Sequence, residues 1–283
     1  MVTGNPITLI ENLVFPEDPR WAFDRLWFSD IHGFKVIAVD VDGNSEIIAH
    51  VESRPSGLGW TTENELLIVS MEDSKLLKKT NTNLETVAEL ATHGAFYSND
   101  MVVDKHGRAY IGHFGFDLYG NGERSTSTLL CVESNGEVSI AATDLGFPNG
   151  VVITPNDKNL IIAETHNQRI TIFDKLDNGT LTNRKIWAQL EGIFPDGICL
   201  DIEGCIWIAS PREPSGCYRV SQSGEVLEFI SSLDMSAFAC MLGGKDRKTL
   251  FMCEASGSRP GTISEGNGRI RMIDVNVPGT GLP

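Results

Sequence analysis

Four residues of this chain stand in one repeated local context and carry the groups of a hard-cation or proton-transfer site. They are Glu17 in Phe15-Pro16-Glu17-Asp18-Pro19-Arg20-Trp21, Asn99 in Tyr97-Ser98-Asn99-Asp100, Asn149 in Phe147-Pro148-Asn149-Gly150 and Asp196 in Phe194-Pro195-Asp196-Gly197. Two carboxylates and two amides drawn to a common axis form an all-oxygen cage suited to Ca²⁺ or Mg²⁺. Without a cation, Glu17 and Asp196 would repel each other in a partly desolvated place. Any one of the four alone reads as a turn former or cap. Their shared register is what makes them a site.

The elements that must position them repeat along the chain. Residues 195–209 read Pro-Asp-Gly-Ile-Cys-Leu-Asp-Ile-Glu-Gly-Cys-Ile-Trp-Ile-Ala: an acid and a glycine, an alternating run at 198, 200 and 202, a Glu-Gly turn, and a second apolar run. That is a β-hairpin signature. Six versions of it recur, with apolar anchors at 21, 60, 101, 151, 198 and 240, about 40 to 50 residues apart. This is the period of a four-stranded propeller blade. Further strand pairs follow, turning at Asp42-Gly43, Asn135-Gly136 and Ser223-Gly224, where glycine accepts positive φ without steric cost. The expectation is an all-β, six-bladed β-propeller of four antiparallel strands per blade, one domain spanning 1–283. Ile7-Thr8-Leu9-Ile10 belongs to no blade of its own and is expected to complete the last one, removing an open edge. Near the corresponding points of the second and sixth blades stand Gly57 and Phe238, which offer no ligand.

Composition narrows the partners. The net charge of −15 lacks the basic face that nucleic acid or anionic membrane requires, so neither is expected. No apolar run approaches a membrane span, and the first residues lack the basic and apolar regions of a secretory signal. A cytoplasmic location is therefore expected. The six cysteines form no Cys-x-x-Cys pair and read as buried, reduced thiols. Nothing in the pattern indicates an oligomeric state. A Gly-x-Ser-x-Gly elbow, a Walker loop and a His-Glu-x-x-His motif are all missing, which removes serine-hydrolase, nucleotide and zinc-protease readings.

The motifs Pro16-Glu17-x-Pro-Arg-Trp21, Asn99-Asp100, Asn149-Gly150, Pro195-Asp196-Gly197 and Gly243-Gly244-Lys245 carry a resemblance. Over essentially its full length the chain resembles the SMP-30/gluconolactonase (regucalcin-like) family of six-bladed propeller lactonases. The resemblance implies that Glu17, Asn149 and Asp196 hold one divalent cation, with Asp196 doubling as the catalytic acid/base. It implies that Asn99 contacts substrate or completes the metal shell. Calcium is the first expectation for the cation, and an oxygen-rich shell also accepts Mg²⁺, Mn²⁺ or Zn²⁺. Members acting on aldonolactones place an arginine where this chain has Tyr97. A phenol offers one hydroxyl and a flat apolar face against five guanidinium donors. The expected substrate is a lactone less polar than a sugar lactone. Glu123 resembles a further substrate-contacting acid of the sugar-lactone members and reads equally well as a solvated surface charge. His113 and Phe114, following the inner hairpin of the third blade, are expected to line the mouth, with a structural histidine as the alternative. Trp21, Trp27, Trp60 and Trp207 read as core between blades.

The expected activity is thus metal-dependent opening of a lactone ring, with Asp196 or a metal-bound hydroxide delivering water to the carbonyl and Asp196 protonating the leaving alkoxide. Two other classes compete. One is a phosphotriesterase-like or strictosidine-synthase-like propeller enzyme, the latter relying on a catalytic glutamate in place of a metal cage. The other is a non-catalytic calcium-binding propeller whose mouth holds a ligand or partner.

Overall fold

Hairpin turns capped by acids set the architecture. Asp104 Oδ1 accepts from the backbone N–H groups of His106 at 2.8 Å and Arg108 at 3.0 Å. Asp201 Oδ1 does the same for Glu203 at 2.9 Å and Cys205 at 3.0 Å, with Gly204 at φ 77° closing the turn. Between these turns apolar residues alternate, and β-strands result. The computed structural model describes residues 4–94 and 96–282. In it the strands form six antiparallel sheets, each built on four consecutive blade strands or their closure equivalent. The described residues contain no α-helix, only two single-turn 3-10 segments, Ile31–Gly33 and Thr165–Asn167. None is long and apolar enough to cross a membrane.

The sheets are blades around one axis. Their innermost strands are Pro16–Ala22, Pro55–Trp60, Ser98–Val103, Pro148–Ile153, Ile198–Asp201 and Ser236–Gly243, and neighbouring inner strands contact one another around the ring. We number the blades 1 to 6 in that order. Ile7–Leu13 pairs antiparallel with Gly268–Asp274 and supplies the outer strand of blade 6, as expected. A second closure was not visible in the sequence. Gly279–Thr280 pairs with the free inner edge of Ile198–Asp201, and Leu282 exchanges two backbone hydrogen bonds with Ile153, at 2.8 and 3.0 Å. Two residues are too few to show an alternation pattern. Ile202 also departs from expectation: it lies past the strand end and is exposed.

Packing between blades forms the core. Trp207 is wholly buried, and Trp21 of blade 1 stacks on Phe251 of blade 6 at 5.5 Å. Trp27 and Trp60 meet edge-on across blades 1 and 2 at 5.7 Å, flanked by Phe23, at the end of the ring away from Glu17. All six cysteines are buried and unbridged. Glycine is required where inner strands crowd the axis. A Cβ on Gly150 would lie 2.5 Å from Ile198 N, and one on Gly197 2.6 Å from Ala239 Cβ.

Removing residues 1–10 strips blade 6 of its outer strand and exposes a hydrogen-bonding edge. The expected result is a melting temperature lower by about 10 °C, equivalent to several kcal/mol in a chain of this size. An unchanged thermal transition by calorimetry would show that blade 6 closes without this strand.

Candidate active site

The inner strands are irregular at one common point. Pairing is interrupted between Glu17 and Arg20 in blade 1, Pro55 and Leu58 in blade 2, and Ser98 and Met101 in blade 3. The same happens between Pro148 and Val151 in blade 4 and between Ala237 and Ala239 in blade 6. A bulge re-aims side chains that regular pleating would send into the sheet faces. Here it presents Glu17-Asp18, Asn99-Asp100 and Asn149 at one mouth of the channel. Asp18 adopts φ 47°, a left-handed conformation that costs an acid about 1 kcal/mol or more. In blade 5 the strand begins two residues after Asp196, whose N–H donates to Ala209 O at 2.9 Å.

Three of the four expected residues interlock directly. Asn99 Nδ2 donates to Asn149 Oδ1 at 3.2 Å, and Asn149 side-chain hydrogen bonding lowers the pKa of Asp196. Asn149 Nδ2 donates to Thr165 Oγ1 at 3.2 Å, and Thr165 donates in turn to Pro195 O at 2.7 Å, next to Asp196. Glu17 joins them electrostatically, since Asp196 acts on its carboxyl. All four are enclosed, with Glu17 and Asn99 each 7% exposed, Asn149 6% and Asp196 8%.

Sequence reasoning missed the groups beside them. Asp18 and Asp100 are buried in the same cluster, and Arg20 is its one cation. Arg20 donates to Asp18 Oδ1 at 3.3 Å, Leu58 O at 3.1 Å, Pro19 O at 2.8 Å and Met101 O, so one guanidinium ties the inner strands of blades 1, 2 and 3. Ser56 Oγ donates to Asp18 Oδ2 at 3.1 Å. Burial pushes the Glu17 carboxyl well above the carboxylate range, and Asp196, Asp100 and Asp18 push it further. Asp196 and Asp100 are raised by burial and then by Asp18. Asp18 is raised by burial, against the pull of Arg20 and Ser56. Four carboxyls face one guanidinium, so full ionisation leaves three negative charges uncompensated. Among the described residues no three His, Cys, Asp or Glu side chains converge closely enough to hold a metal by themselves. The signal for Asp18 and Asp100 was present, since each follows a candidate residue by one position; only the bulge shows that both neighbours can face the channel.

Above the cluster lies an aromatic collar of Phe15, Phe114, Phe116, Phe147 and Phe238, with Tyr97 and Tyr119 packed against it. Phe114 packs within this collar, 4.9 Å from Phe147 and 5.8 Å from Tyr97. His113 does not line the mouth. It is wholly buried behind Asn99, its Nε2 3.0 Å from Ser98 Oγ, and a Cβ on Gly94 would lie 2.2 Å from its ring. The reason is strand alternation: Phe114 faces the collar, so His113 faces the blade interior. Glu123 sits exposed in the 114–126 loop.

This is a six-bladed propeller with an acidic cluster, set on bulges, beneath an aromatic mouth. The profile described as SMP-30/Gluconolactonase/LRE-like region matches residues 15–256, and the chain belongs to that family. The chain is 25% identical to a pentonolactonase of Haloferax volcanii, over 89% of its own length and 85% of that protein's. It is 25% identical to regucalcin of Oryctolagus cuniculus, over 96% and 94% of the two chains. The solved structure of a calcium-binding protein, regucalcin, from Agrobacterium tumefaciens superposes with a TM-score of 0.81 at 18% identity, covering 99% of this chain and 96% of that one. That likeness establishes the shared fold.

His113 also fixes a pH response. Burial lowers its pKa from 6.5 to about 4, so the folded state holds it neutral while the unfolded chain takes up a proton below pH 6.5. Stability should therefore be unaffected above pH 6.5 and fall as pH drops from 6.5 towards 4, by about 3 kcal/mol from this residue. Denaturant titrations of the protein should lose that amount of stability across this range, and those of His113→Asn should lack the loss. Equal slopes would refute the assignment.

Proposed function

We propose that this chain is a divalent-cation-dependent lactone hydrolase, opening a cyclic ester to its hydroxy acid and preferring rings less polar than a sugar lactone. The observation that carries the reading is the enclosed set of Glu17, Asn149 and Asp196 in a cluster with excess negative charge. Two carboxylates and an amide oxygen, completed by water, are hard oxygen donors that fit calcium or another hard cation, and such a charge would relieve the repulsion that raises their pKa values. Membership of the family supports the reading, as does the pentonolactonase relative. The polarity preference rests on this chain's own collar, where Tyr97 and five phenylalanines surround the entrance.

When bound, a divalent cation supplies Lewis acidity to the ester carbonyl. The protein residues do the rest. Asp196, its pKa raised by burial, takes a proton from the attacking water and returns it to the ring oxygen as the acyl C–O bond breaks. Asn99, held by Asn149, orients the ester. The collar excludes bulk water and strengthens every charge interaction beneath it.

Proton release on a lactone panel, from glucono-1,5-lactone to alkyl and aryl-fused rings, provides the test. Chelation should abolish turnover and added Ca²⁺, Mg²⁺, Mn²⁺ or Zn²⁺ restore it. Asp196→Asn should lower kcat by at least about 100-fold, the scale of a lost general acid–base. Turnover that survives both treatments would sink the reading. A metal that raises the melting temperature while no ring is opened would instead indicate a binding protein.

A further inference from the structure

The mouth is crossed by a strap built from opposite sides of the ring. Residues 114–126 connect the second and third strands of blade 3, and residues 256–267 make the same connection in blade 6. In a six-bladed ring these blades face each other. Arg259 Nη2 donates to Tyr119 O at 2.7 Å, and Nη1 reaches Asn121 Oδ1 at 3.5 Å. His32 of blade 1 donates from Nε2 to Ser258 O at 3.0 Å, fixing the near end of the blade 6 loop. Leu118 and Ile263, one from each loop, both pack into the aromatic collar. The two loops thus meet over the acidic cluster and share its apolar wall.

Tyr119 is the centre of that roof. Its ring lies 5.9 Å from Tyr97, 5.9 Å from Phe114 and 6.4 Å from His32, so it spans from blade 3 to blade 1. Burial raises its phenol above the usual value, and Glu17 is among the charges acting on it, so the hydroxyl lies within electrostatic reach of the cluster below. The chain has four tyrosines. Tyr110 and Tyr218 hydroxyls donate to the carbonyls of Gly179 and Pro214. Those of Tyr97 and Tyr119 have no hydrogen-bond partner among the described residues. Both rings are half-buried against the collar, so their unpaired hydroxyls can still be reached by a ligand's oxygens. Arg54, the guanidinium whose charge acts on the Tyr119 phenol, is tied to Glu72 at 2.8 Å and does not replace them.

Resting on the lactonase reading, we propose that Tyr119, clasped in place by Arg259, is the roof of the substrate chamber. With Tyr97 it selects a flat, weakly polar lactone, aryl-fused or short-alkyl, over a polyhydroxylated ring. The ring of such a substrate stacks or packs edge-on against the two phenols, and its one or two oxygens use their hydroxyls. A sugar lactone would bring several hydroxyls into a wall that pairs at most two, leaving the rest desolvated and unbonded. Because the cluster is enclosed while Arg259 holds Tyr119, the clasp must part for substrate to enter.

The experiment measures binding and turnover separately on the intact, Ca²⁺-loaded protein. Binding is followed calorimetrically with 3,4-dihydroquinolin-2-one, a flat lactam that is not hydrolysed. Turnover is followed with dihydrocoumarin and with glucono-1,5-lactone. Tyr119→Leu should weaken lactam binding about tenfold, the scale of a lost aromatic contact. It should lower kcat/KM for dihydrocoumarin through KM, and shift the ratio of gluconolactone to dihydrocoumarin kcat/KM towards gluconolactone. Tyr119→Phe keeps the ring and should retain lactam affinity within about threefold, which separates a roof contact from a folding defect. Arg259→Met should shift both readouts in the same direction as Tyr119→Leu. Lactam affinity and substrate preference unchanged in both Tyr119→Leu and Arg259→Met would overturn the proposal, as would a wild-type protein that binds no lactam. A wild-type protein that binds the lactam in a Tyr119-dependent way but opens no lactone would leave the roof standing and remove the hydrolase reading alone.

Discussion

Four carboxyl groups share the mouth of a dry channel with a single guanidinium, and much of the surrounding structure answers that imbalance. Arg20 meets it from below: its donors go to Asp18 and to carbonyls of blades 1, 2 and 3, so the charge is held where no side-chain rearrangement can withdraw it. The amides of Asn99 and Asn149 meet it from the sides. They supply oxygen without charge, and an acid at either place would add to a repulsion that already raises Glu17, Asp100 and Asp196. Full ionisation would leave one negative charge more than a divalent cation neutralises, so one carboxyl can keep a proton beside a bound cation.

The collar and the bulges serve the same constraint from two directions. An apolar wall of phenylalanines lowers the local dielectric, which makes each charge–charge interaction stronger and each unpaired charge more costly. The bulges put successive residues such as Glu17 and Asp18, or Asn99 and Asp100, on one channel instead of on opposite faces of a sheet. The crowding is therefore a product of backbone irregularity as much as of residue choice. The left-handed turn at Asp18 is part of what holds it there.

Much of this was legible from sequence, for reasons that are local. A hairpin phrase repeated six times, with turns at Asp42-Gly43, Asn135-Gly136 and Ser223-Gly224 in the strand pairs that follow it, specifies blades because each cue acts within a few residues. The equivalence of Glu17, Asn99, Asn149 and Asp196 could be seen because repetition itself maps sequence position to position around the axis. Trp21 and Trp207 were placed in the core by the same alternation. The misses are all non-local or sub-periodic. His113 was expected at the mouth, with a structural role as the alternative, because it follows the inner strands of blade 3 as Phe114 does, yet adjacent strand residues point to opposite faces. Arg20 looked like one letter of a motif, while its role depends on carbonyls at 58 and 101. The meeting of Arg259 with Tyr119 joins loops 140 residues apart and leaves no pattern in either. The pairing of Gly279–Thr280 is simply too short to carry a period.

The outer strand of the sixth blade has a consequence in time. Ile7–Leu13 leaves the ribosome long before its partner Gly268–Asp274. Through nearly the whole of synthesis the nascent chain carries an unpaired strand at one end and a growing row of blades at the other, and no ring exists to bring blade 1 against blade 6. The site spans blades 1, 3, 4 and 5, so it too must wait for closure. Assembly ends in one long-range step, in which Ile7–Leu13 finds Gly268–Asp274 and the channel, its mouth and its charges come into being together.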